Sequence, residues 1–284
     1  MTSGFDAFSL ALFTTLAPAG VVAFIALALA RLGVPGREAA VRLDRMVALP
    51  FSIALVGFIA SATHLGTPAN ALHVFSGVGR SPLSNEVLAA VAFLFLAGSY
   101  WMASFKERFP DALARLWLLL GIGAGCMLVV CTSLAYAVRT VPTWDTPFTP
   151  ANLVLGALLA GPVLGLLCLS AARVRSRGLE TALAIVSFGA LAAGAIVLGM
   201  RAESLGGIAN NEFTAASLAP HYEAAVIVHC ALGVLGAAAA AWSIRRALPE
   251  RLAIILRITA SILALLAVFV TRIGFYHLHM TVGF

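Results

Sequence analysis

Charge is what this sequence has least of: 11% of its 284 residues are Asp, Glu, Lys or Arg, against 61% hydrophobic. Soluble domains carry about 25% charged and about 45–50% apolar residues, so no soluble fold can bury this excess. Cysteine is nearly absent too. Cys126, Cys131, Cys168 and Cys230 lie in apolar runs and form no CxxC pair. That argues against disulfide, zinc and iron–sulfur ligation and leaves them as small buried side chains. There is no Walker motif, no GxGxxG after a strand and no HExxH, so nothing points to nucleotide binding or soluble-type catalysis. Met1 to Ser9 contains no Lys or Arg. A signal peptide needs a basic n-region, so the first apolar run is expected to be a retained helix.

What the sequence does have is long apolar runs. A helix needs roughly 20 such residues to cross about 30 Å of hydrocarbon. In lipid the backbone must satisfy its own hydrogen bonds, which leaves helices or closed barrels; barrel strands alternate in short segments, and these runs do not. The expectation is an all-α integral membrane protein, one transmembrane domain over 1–284, with eight spans at about 10–30, 46–63, 87–105, 116–138, 151–172, 179–200, 224–244 and 252–273.

The basic residues orient these spans. Thirteen fall in the loops after spans one, three, five and seven, from Arg31 to Arg251. The other side has four, Arg80, Arg139, Arg201 and Arg272, and Arg257 lies inside the start of the eighth span. Cytoplasmic loops retain the basic residues, which places both chain ends outside. The net charge of +6 is then a topology signal for a protein surrounded by lipid, with no nucleic acid as partner. The stretches 64–85 and 201–222 match in length and place, which is compatible with a 4+4 parallel repeat. Gly121/Gly125 and Gly161/Gly165 suit close helix packing.

Polar groups in membrane spans need an explanation, and most gather at the outer ends of the helices. His64 ends the second span, Glu86 starts the third and Arg80 lies between them. Arg139 ends the fourth, ahead of Trp144. Arg201 and Glu203 end the sixth; His221, Tyr222 and Glu223 start the seventh; Arg272 is followed by Tyr276, His277 and His279. Each has a bland reading. Glu86 can sit in a first turn behind a Ser84 cap, His64 can bond a loop carbonyl, Trp144 and Tyr222 can be belt aromatics, and the arginines can snorkel. The functional reading is quinol oxidation, which requires an apolar cleft and a proton acceptor: His64, with Glu86 to orient it and pass a proton on. Bis-histidine haem needs two histidines at compatible depth, and only His229 lies well inside a span, so no haem is expected.

At these residues the sequence resembles the dimethyl sulfoxide reductase membrane anchor family. The resemblance rests on Gly57–Ser61 with His64-Leu65-Gly66-Thr67-Pro68, Leu83-Ser84-Asn85-Glu86, Thr140–Trp144, Gly161-Pro162 and Phe275–Gly283, in order along the chain. It implies a subunit that holds a molybdopterin catalytic subunit and an iron–sulfur subunit at the periplasmic face of the bacterial inner membrane. Such a subunit oxidises menaquinol and passes the electrons to an iron–sulfur cluster in its partner, while carrying no haem, iron–sulfur cluster or molybdopterin itself. It also implies that His64 and Glu86 are the quinol-site pair. Arg80, Arg139 and Trp144 are further candidates: the arginines for the quinol's oxygens or for acidic residues of the docked subunit. Two other readings stay open, a purely structural tether and a secondary transporter. Transporters keep polar groups near the midplane, on broken helices, where this sequence has few.

Overall fold

The computed structural model describes residues 4–63, 68–106, 109–209, 211–212, 214–245 and 248–280. His64 lies outside them. The chain forms helices α1 (Gly4–Gly33), α2 (Arg37–Met46), α3 (Ala48–Ala62), α4 (Pro82–Ala103), α5 (Asp111–Ala135), α6 (Phe148–Ala171), α7 (Arg177–Ser204), α8 (Ala215–Leu218), α9 (Tyr222–Ser243) and α10 (Glu250–His277). Among the described residues, eight helical stretches are long and apolar enough to cross a membrane, α2 and α3 together making the second. No strand forms among them beyond one isolated bridge, Ala209 to Thr214.

Small residues decide which helices occupy the centre. α1 and α6 are the most buried of the eight, and they meet through glycine. A Cβ on Gly161 would lie 2.4 Å from the Val22 Cβ and 3.0 Å from the Ala19 carbonyl oxygen, and one on Gly165 would lie 2.6 Å from the Ala26 Cβ. α3 and α5 also pack on α1, α7 and α10 pack on α6, α4 pairs with α5, and α9 with α10. The outward faces keep large apolar side chains exposed, among them Phe95 at 69% and Phe188 at 63%. Apolar surface on this scale is stable only where lipid covers it.

Phe8 of α1 meets Phe269 of α10 edge-on, with ring centroids 5.5 Å apart, and the Tyr276 hydroxyl hydrogen-bonds to Thr14 Oγ1 at 3.3 Å. The start of α1 and the end of α10 therefore share a face, here called the terminal face. The 3-10 helix Pro68–Gly77, which packs on α4, and α8 lie on it.

The opposite face is held by ion pairs. Arg31 donates to Asp44 at 2.9 Å and to Asp111 at 2.7 Å, and the Tyr100 hydroxyl donates to Asp44. Arg257 of α10 donates to the Leu166 carbonyl of α6 at 2.9 Å, to Ser243 of α9 at 3.1 Å and to Glu180 of α7 at 3.3 Å. Sequence alone placed most of the buried polar groups at the outer rim; the structure buries them at both faces. Asp44 is the reason α2 escaped notice. Its carboxylate is satisfied by residues remote in sequence, so a helix too polar to count as a span still docks on the bundle.

Candidate functional site

Ser81 caps α4 by accepting from the Ser84 N–H at 3.4 Å, and Pro82 opens the helix. Proline suits that position because its fixed φ is helical and it has no N–H to satisfy. The helix thus starts earlier than its apolar run, which puts Glu86 in the second turn. The dipole effect fades within the first turn, so a capping role behind Ser84 does not describe Glu86. Its side chain points inward instead and is 3% exposed. The Thr132 hydroxyl of α5 interacts with the carboxyl, while Oε1 has no hydrogen-bond partner among the described residues.

Glu86 lines a cavity of about 260 Å³ that also touches Phe13 of α1, Phe58 and Ser61 of α3, Val91 of α4 and Tyr136 after α5. Apart from Glu86, Ser61 and Tyr136 the walls are apolar. The volume lies just below the roughly 300–1,000 Å³ of small-molecule pockets, which suits a ligand that inserts one ring and leaves its tail in lipid. Leu83 and Val91, 57% and 50% exposed, carry the cavity wall out to the lipid-facing surface. Two other cavities are larger. One of about 290 Å³ lies beside His221 and His277 at the terminal face, but both histidines are exposed. The other, of about 430 Å³, belongs to the arginine-rich face. Size therefore does not pick the site; an unpartnered carboxyl oxygen in an apolar chamber does.

Tyr136 joins this chamber to an aromatic cluster. Its ring lies 6.3 Å from Trp144, 6.0 Å from Phe275 and 5.7 Å from Tyr276, centroid to centroid. Trp144 stacks on Phe275 at 4.7 Å, meets His279 at 5.0 Å and donates Nε1–H to the Phe275 carbonyl at 3.1 Å. It is thus pinned into the end of α10 rather than standing free at the interface. It does not line the chamber itself but packs against Tyr136, which does.

The remaining candidates sit elsewhere. Arg80 is exposed and donates to the Ser76 carbonyl at 3.1 Å, within its own loop. Arg139 is exposed and does not line the cavity. His229, deep in α9, has Nδ1 2.8 Å from the Ala267 carbonyl oxygen.

Arg201 and Arg272 correct the snorkelling expectation, since each is 1% exposed. Arg201 donates to the Thr143 carbonyl at 3.1 Å and lies over the Phe275 ring at 5.0 Å, while Arg272 donates to the Asn152 carbonyl at 2.8 Å. Together they fasten the segment before and within α6 to α7 and α10. An arginine near a helix end gives the same sequence signal whether it reaches outward or inward; in the structure, Gly156 leaves room for the Arg272 guanidinium against α6.

Comparison with known proteins supplies the context for this chamber. The family description "DMSO reductase anchor subunit (DmsC)" matches residues 1–278. The YnfH polypeptide of anaerobic dimethyl sulfoxide reductase from Escherichia coli K12 is 34% identical over all of this protein and 98% of its own length. The C polypeptide of anaerobic dimethyl sulfoxide reductase from the same organism is 33% identical, and its counterpart from Haemophilus influenzae Rd is 27% identical, with the same coverage. A match of this extent leaves no part of the bundle unaccounted for, and the protein belongs to the family of multi-pass membrane anchor subunits of dimethyl sulfoxide reductase complexes.

Proposed function

We propose that this anchor subunit oxidises menaquinol in the Glu86 chamber and passes the electrons to an iron–sulfur subunit docked on the terminal face, next to a molybdopterin catalytic subunit. The observation that carries the reading is the buried Glu86 carboxyl, with Oε1 unpartnered among the described residues in a cavity whose other walls, Ser61 and Tyr136 apart, are apolar. A buried polar atom without a partner costs free energy unless something else satisfies it, and a quinol hydroxyl would do so. Oxidation releases two electrons and two protons per quinol. Glu86 accepts a hydroxyl proton at Oε1. His64, two residues beyond the end of α3 in sequence, takes the other, since an imidazole titrates in the neutral range.

α4 supports proton release at the terminal face. Its inward side chains between Glu86 and Tyr100 are Ala89, Ala90, Phe93 and Ala97, all buried, over about 21 Å of helix at 1.5 Å per residue. Along α4, that stretch carries no titratable side chain toward the arginine-rich face. The concentration of basic residues on that face supports a cytoplasmic placement, which makes the terminal face periplasmic and the membrane the bacterial inner membrane. Quinol oxidation there is non-electrogenic, because both protons leave on the side where the reductase consumes protons.

The test is a split between donors. In the assembled complex, Glu86→Gln and His64→Ala should abolish quinol-dependent reduction while activity with an artificial soluble donor persists. Unchanged quinol activity in both variants would discard the site and leave the protein a tether.

A further inference from the structure

A hydroxyl group carries one proton and two lone pairs, so a chain of hydroxyls that ends on a carbonyl has a fixed direction. One such chain reaches the Glu86 chamber. The Thr14 hydroxyl of α1 donates to the Leu10 carbonyl at 2.9 Å. A carbonyl oxygen only accepts, so this bond takes the one proton that Thr14 has. In the 3.3 Å contact between Thr14 and Tyr276, Tyr276 is then the donor. The Tyr276 hydroxyl also meets the hydroxyl of Tyr136. Its own proton already points at Thr14, so Tyr276 accepts there and Tyr136 donates. Thr14 is 2% and Tyr276 4% exposed, which keeps bulk water from competing for these protons. Tyr136 lines the chamber with Glu86 and is left with only lone pairs to present to it.

That direction separates two redox forms of one ligand. A hydroquinone brings hydroxyl donors, whereas the quinone it becomes has carbonyl oxygens that only accept. Glu86 can meet either form, since a protonated carboxyl donates and an ionised one accepts. Ser61, the other hydroxyl in the lining, can rotate to suit either. Tyr136 cannot turn round while Tyr276 and Thr14 hold its proton. A quinone would set lone pair against lone pair there, and a buried oxygen left without a partner is costly. We propose that Tyr136 accepts a hydrogen bond from a quinol hydroxyl, so that the chamber binds the reduced ligand in preference to the oxidised product. Tyr136 is then a binding residue, and Tyr276 and Thr14 are positioning residues that act through it. This selectivity presupposes that the chamber is the quinol site.

The experiment is anaerobic isothermal titration calorimetry of the full protein in micelles with menadiol and, separately, with menadione. The natural sequence should bind menadiol about tenfold more tightly, the worth of one neutral hydrogen bond. Tyr136→Phe should bring the two affinities close together. Tyr276→Phe removes the acceptor for the Tyr136 proton and frees that proton to point into the chamber, so the preference should shift toward menadione. Thr14→Val should do the same by a second route, because Tyr276 then donates to Tyr136. Unfolding temperatures check that each variant keeps its fold, and a purely structural role would weaken both ligands alike. Equal affinities in the natural sequence, or a preference unmoved by both Tyr276→Phe and Thr14→Val, would overturn the role of Tyr136 and leave the quinol site standing. Binding of neither ligand to the natural sequence would overturn the quinol site and the selectivity with it.

Discussion

Single residues do two kinds of work in this bundle: some open space for chemistry and others remove space between helices. Gly161 is of the second kind. Its α1 neighbours include the Ala19 carbonyl oxygen, which is backbone and cannot swing aside. Gly161→Val should therefore separate the two central helices and cost about 1–3 kcal/mol, as overpacking does. A thermal-unfolding series in detergent, with Gly189→Val as a control at a position with open space, measures it. Glu86 lines the chamber proposed as the quinol site, and it stood out in the sequence because a carboxyl at the edge of an apolar run demands a reason. Its depth was not legible, since that depends on Ser81 and Pro82 starting the helix a turn early. Tyr136 was missed because an aromatic at a helix end is the commonest of interfacial signals; only its packing against Trp144, Phe275 and Tyr276 separates it from a belt residue.

Among the elements, α10 packs on α9, α6 and α1, and Arg257 anchors one of its ends to α6, α7 and α9. Removing one partner of a buried ion pair strands the other and costs about 3–5 kcal/mol, whereas replacing both with apolar groups is often nearly neutral. Arg257→Met should accordingly destabilise the bundle severely, and Arg257→Met with Glu180→Leu should recover most of the loss in equilibrium unfolding in mixed micelles. A double variant no more stable than the single one contradicts this account of the pair. The number of long apolar helices was legible, because length and hydropathy are what lipid selects. The amphipathic α2 was not, because its burial depends on Arg31, Tyr100 and Asp111, which sequence spacing does not bring together. We also propose that the two halves form a parallel repeat. The pairing of α1 with α3 and α5 mirrors that of α6 with α7 and α10, which supports the reading.

At the scale of the whole molecule, the two faces divide the labour. One carries the apolar chamber, the buried Arg201 and Arg272 and the aromatic cluster; the other carries most of the basic residues and the ion-pair networks of Arg31 and Arg257. A reporter active only after export, fused after Phe284, should be active if the terminal face is periplasmic, and silence with full expression would invert the arrangement. The central claim, however, is that the Glu86 chamber receives a quinol ring from lipid through the surface between Leu83 and Val91. Val91 is half exposed, so a larger side chain there fills the chamber mouth without entering the helix core. The most direct measurement is a fluorescence titration of the isolated protein with a quinone analogue, comparing the natural sequence with Val91→Trp. The account predicts saturable binding to one site in the former and its loss in the latter, with unfolding temperature retained. Undiminished binding in a stable Val91→Trp protein would contradict it.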